Sequence, residues 1–163
     1  MNKLAKYAAV AALASAAVVP ATVAGAATAN IPFGGSVANT CVINVGSSGT
    51  LAVNVNYDVL GSEEAGGAAG TADVLATGAG FNLSADAPAA FSVAPATGND
   101  NVLFEANYSS TGANNIPQTD GATATALARG MNAVNVNMSG TKTVAGETFE
   151  AGAYAATVVL RCE

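Results

Sequence analysis

Apolar and polar residues alternate with a period of two along most of this chain, which is the pattern of strands with one buried face. The first such run covers residues 27–45, ATANIPFGGSVANTCVINV. Its apolar file is Ala27, Ala29, Ile31, Phe33, Gly35 and Val37, resuming after Asn39 with Cys41, Ile43 and Val45. Strands hold roughly 3–10 residues, so this run reads as two strand-length units divided near Gly34 and Gly35. Further alternating files follow in order: Leu51, Val53, Val55 and Tyr57; Phe81, Leu83 and Ala85; Val102, Phe104, Ala106 and Tyr108; Val134, Val136 and Met138; Tyr154, Ala156, Val158, Leu160 and Cys162.

Glycine, proline and asparagine punctuate the intervals. Residues 61–80 read as a low-complexity loop with a short strand at residues 73–76. Pro88 ends the Phe81 strand, and Phe91 and Val93 form its hairpin partner. Residues 109–121 read as a long loop, and residues 122–129 as either one helical turn or a strand. About seven strands and no long helix predict an all-β, Ig-like antiparallel sandwich. Tyr57, Tyr108 and Tyr154 fall in inward files, as core residues rather than a sugar-stacking platform.

The N-terminus has a different pattern. Lys3 and Lys6 precede an uncharged, mostly apolar run over residues 8–19, which Pro20 breaks. Small-x-small sites follow at residues 24–26 and 27–29. This is the plan of a cleaved signal peptide, with cleavage after residue 26 or 29. The apolar run is too short for a membrane helix of about 20 residues. The expected organisation is therefore a leader over residues 1–26, an extension over residues 27–36 and one sandwich domain over residues 37–163. Processing removes two lysines and leaves Arg129, Lys142 and Arg161 against 11 acidic residues. Such a charge, with no basic cluster, argues against nucleic acid and anionic membranes as partners. Two cysteines in an exported chain favour a disulfide between Cys41 and Cys162. An intermolecular bridge and free thiols are the alternatives.

Catalytic chemistry has little to stand on. The chain has no histidine, which removes histidine-based triads and metal sites. Ser139 and Lys142 match SxxK, but in a turn after a strand rather than on a helix. Glu63 and Glu64 are adjacent and would diverge on a strand, a poor acid–base pair. Asn99, Asp100, Asn101 and Asp120 offer oxygens without EF-hand spacing. The expectation is a non-enzyme with no cofactor and no metal.

Three stretches carry a resemblance. NIPFGGSVANTC (residues 30–41), GTLAVN (residues 49–54) and GAYAATVVL (residues 152–160) resemble the secreted fimbrial subunits related to spore coat protein U, within the chaperone–usher pilins of Gram-negative bacteria. The resemblance implies an incomplete Ig-like fold completed by β-strand addition from another chain. It implies donor residues Ala29, Ile31, Phe33 and Val37, and an acceptor groove lined by the first strand and by Tyr154, Ala156, Val158 and Leu160. The implied partners are other pilin-like subunits, a periplasmic chaperone and an outer-membrane usher, and the implied destination is the cell surface by way of the periplasm. The chain departs from the family in ending Arg161, Cys162, Glu163, in its C-terminal second cysteine, and in Pro32 within the donor file. A self-complemented relative that no longer polymerises, and a self-contained sandwich that binds carbohydrate or another surface ligand, are the alternative expectations.

Overall fold

The computed structural model describes residues 27–163. The expected leader, residues 1–26, lies outside the described residues. The chain divides into two units, Met1–Gly35 and Ser36–Glu163. In the first, residues 27–35 carry no strand and are exposed.

The second unit is built entirely of antiparallel strands. In chain order these are β1 (Cys41–Val45), β2 (Ala52–Val53), β3 (Val59–Gly61), β4 (Gly70–Ala76), β5 (Asn82–Asp86), β6 (Val102–Gly112), β7 (Ile116–Asp120), β8 (Thr125–Ala126), β9 (Gly130–Lys142) and β10 (Val159–Cys162). The long β9 organises the larger sheet. One of its edges pairs with β6 along nearly its whole length. The other is shared by β4, from Gly130 to Val136, and β3, from Ser139 to Thr141. Outside these lie β1 on β4, β2 on β3 and β7 on β6. The smaller sheet has the order β10-β5-β8.

The two sheets share one interior, and the architecture fits a β-sandwich. Val74 of β4, Tyr108 of β6 and Val134 of β9 pack with Leu83 and Ala85 of β5. A second cluster joins Leu60, Phe91, Met138 and Phe149, and Val158 packs against both. Gly140 stands opposite Phe104 in β9, and a Cβ there would lie 3.0 Å from the Phe91 ring. Its missing side chain lets Phe91 meet Phe104 edge-on, with centroids 4.8 Å apart.

Several elements differ from the sequence expectation. Residues 70–76 are a full strand between β1 and β9, not a loop with four strand residues. Ala72, Val74 and Ala76 do alternate inward, but outward Leu75 and the surrounding glycines blur the period. The second expected strand stops at Val53. The Asn54 side chain accepts from the Asp58 and Val59 amides at 3.1 and 3.2 Å, closing a turn in place of a ladder. Tyr57 in that turn has φ 61° and is exposed, so it is not a core residue. Phe91 is buried but belongs to no strand, and Val93 bridges Ala155 instead of pairing with β5. The expected loop at 109–121 holds the end of β6 and all of β7, an edge strand that tolerates Pro117.

Candidate functional site: a groove between two free strand edges

A groove of about 900 Å³ runs between the β1 side of the larger sheet and the C-terminal segment. Ile43 and Val45 form one rim, and Tyr154, Ala156, Val158 and Leu160 form the other. Leu60, Ala72, Val136 and Met138 lie beneath them. The four C-terminal residues named from the sequence as an acceptor surface are therefore brought together along one side of one groove. Leu60 was not anticipated, because Gly61 was read as the start of a loop.

The hydrogen-bond ladders explain the chemistry of these rims. Among the described residues, β1 pairs only with β4, and β10 only with β5. The Thr77 amide donates to the Thr40 carbonyl at 2.9 Å, and the Gly46 amide donates to the Thr71 carbonyl at 2.8 Å. Even-numbered residues of β1 thus face β4. Cys41, Ile43 and Val45 turn their own N–H and C=O groups the other way, toward the groove. On the opposite rim, Glu163 and Asn82 exchange amide-to-carbonyl bonds at 3.0 and 2.6 Å, and the Ala155 amide donates to Val93 at 3.0 Å. By the same alternation Ala156, Val158, Leu160 and Cys162 turn their backbone groups to the groove. Their side chains are also the half-buried ones of this segment. Each rim therefore offers unpaired main-chain donors and acceptors beside apolar side chains.

The two rims meet at a disulfide. Cys41 and Cys162 are bonded, 121 residues apart in sequence, with Cα atoms 6.2 Å apart. No cysteine is free, so the pairing is the intrachain one among the alternatives left open. From this junction β1 runs outward to Val45, while the C-terminal segment runs inward from Tyr154. Away from the disulfide, the Tyr154 end of this rim is backed by aromatic packing: Tyr154 meets Phe91 at 5.1 Å and Phe149 at 5.6 Å, both edge-on. The Tyr154 hydroxyl donates to the Glu150 carbonyl at 2.8 Å. Burial, with the Glu150 charge second, holds its pKa above the usual tyrosine value, against a smaller opposing effect of that hydrogen bond. The side chain is neutral at physiological pH.

No family model, curated protein or solved structure matches this chain.

The donor residues named from the sequence are on display rather than packed. Residues 27–40 are exposed without strand pairing, with Ile31 at 73%, Phe33 at 95% and Val37 at 82% of their full accessibility. The other candidate groups have local duties. Ser139 and Lys142 both lie within β9, and Lys142 donates to the Thr97 and Asp100 carbonyls at 3.1 and 2.7 Å. Asn99 accepts from the Phe91 amide at 2.7 Å, Asn101 donates to Glu147 at 3.0 Å, and Asp120 accepts from the Ala122 amide at 2.8 Å. Among the described residues, no three acidic or cysteine side chains gather as a metal site. Tyr108 is fully buried, its hydroxyl 2.9 Å from the Leu83 carbonyl, 2.7 Å from that of Thr123 and 2.8 Å from the Thr125 hydroxyl.

Proposed function

We propose that this chain is a secreted structural subunit of an Ig-like pilin type, which joins further subunits by strand exchange. Residues 27–37 of one copy add as a strand to the groove of the next. The observation that carries this reading is the pair of facing free edges, where Ile43, Val158 and Leu160 present both unpaired backbone groups and inward apolar side chains. An extended apolar segment satisfies both needs at once, because main-chain bonds supply affinity and alternate side chains fill the floor. Ala29, Ile31 and Phe33 of the exposed file have the required spacing of two, and Val37 follows four residues on, past Gly34 and Gly35. Burying a Phe or Ile side chain contributes about 1.5–3 kcal/mol, part of which offsets the cost of ordering the segment.

The leader pattern in the sequence supports export, and the pilin resemblance supports a route through the periplasm to the cell surface. Before assembly, an apolar groove with two free edges is a site for unwanted pairing. That is the chemical case for a periplasmic chaperone that covers it and an outer-membrane usher that passes it on.

The test compares the processed chain with a version lacking residues 27–37 on an unheated denaturing gel. A ladder of oligomers that vanishes on truncation is expected. A full chain that never ladders, beside a truncated chain that is folded, monomeric and binds glycans, overturns strand exchange in favour of a self-contained binding module.

A further inference from the structure

The disulfide lies where an added strand would otherwise run through. A strand between two neighbours needs about 4.8 Å on each side, which is roughly 9.6 Å between the flanking strands. The Cα atoms of Cys41 and Cys162 stand 6.2 Å apart. No chain can therefore continue in the plane of pairing past that bond. The groove is blind at the cysteines and open only toward Val45 and Tyr154.

We infer that the Cys41–Cys162 bond is an end stop that sets the direction and depth of the occupant, residues 27–35 of a second copy. The inference rests on the strand-exchange reading above. The occupant stays attached to its own domain through Ser36, so its C-terminal end must leave by the open mouth. Its N-terminal end must then point at the disulfide. The inserted strand runs parallel to β1, which leads away from Cys41, and antiparallel to the C-terminal segment, which leads toward Cys162. The lengths agree. Four residues, Leu160, Val158, Ala156 and Tyr154, face the groove at a spacing of two, and with cleavage after residue 26 the processed chain offers four in its exposed file, Ala27, Ala29, Ile31 and Phe33. Ala27 and Ala29 then lie beside the stop and Phe33 near Leu51 and Tyr154, whose ring packs on Phe91 and Phe149. Gly34 and Gly35, where an added Cβ would meet nothing within 4 Å, fall at the mouth where the chain must turn out. A segment folding back into its own groove would arrive beside the cysteines and run the opposite way, so direction separates exchange between copies from self-complementation.

The experiment places photo-leucine at position 29 or position 33 of the processed chain, mixes isotope-labelled and unlabelled copies, irradiates, and maps the adducts by mass spectrometry. Adducts between copies are expected from position 29 to Val158 and Ile43, and from position 33 to Leu51 and Tyr154. The reverse order, or adducts confined to one copy, overturns the inferred direction. Absence of adducts at both positions overturns strand exchange and this inference together. A second variant carries four extra polar residues before Ala27. At least a tenfold loss of laddering is expected, and unchanged laddering overturns the end stop while leaving strand exchange standing.

Discussion

Cys41 and Cys162 tie the free edge of one sheet to the free edge of the other, closing a loop of 121 residues with Cα atoms 6.2 Å apart. β1 and β10 share no ladder, so this bond is the direct link between the strands on either side of the groove. Replacing both cysteines by serine should lower stability by about 2–5 kcal/mol, mainly by freeing the unfolded chain. Urea unfolding of the oxidised chain, the reduced chain and the double variant checks this, with the last two expected to agree.

Phe33 separates assembly from folding. Its side chain is almost fully exposed within its own chain, so Phe33→Ser should leave the urea midpoint unchanged. If the ring fills a neighbour's groove, its loss weakens association by about 2 kcal/mol, or about thirtyfold. Sedimentation of the variant against the unchanged chain reads the association, and circular dichroism the fold.

Tyr108→Phe tests the interior. The hydroxyl has one proton to share among three acceptors, the Leu83 and Thr123 carbonyls and the Thr125 hydroxyl. Removing it leaves polar groups near the core without that partner, at a cost of about 1–3 kcal/mol. A shifted urea midpoint with an unchanged slope is the expected result.

Tyr154 predicts an alkaline dependence. It is neutral when protonated, and its pKa is raised in the folded state by burial and by Glu150. The native chain therefore holds this proton more tightly than the unfolded chain. The associated stability is complete below the ordinary tyrosine value of about 10 and is lost as pH rises through the native value. Urea midpoints measured from neutral to strongly alkaline pH should fall less steeply in Tyr154→Phe than in the unchanged chain.

The outer strands of the groove were legible in the sequence because their alternation is uninterrupted. Cys41 and Ile43 on one rim, and Tyr154, Ala156, Val158 and Leu160 on the other, are the inward residues of clean period-two runs. β4 was hidden because a strand paired on both edges over a tight core can use alanine, and Ala72 and Ala76 give little hydrophobic contrast with the glycines nearby. β7 was hidden by Pro117, which an edge strand accepts and a central one does not. Tyr57 misled in the opposite sense: it keeps the alternation, but Asn54 bonds the backbone first and turns the chain. The groove itself depends on which strands lack a partner, a long-range property that no local window of residues contains.

In the strand-exchange proposal, the backbone groups of Ile43, Val45, Val158 and Leu160 pair with another strand. Hydrogen exchange at their amides, measured on the folded chain before and after adding a synthetic peptide of residues 27–37, tests it most directly. The account predicts at least tenfold slower exchange at these four amides with the peptide present, and little change at Val42 and Arg161, which already face β4 and β5. Unchanged exchange at all four with saturating peptide would contradict it.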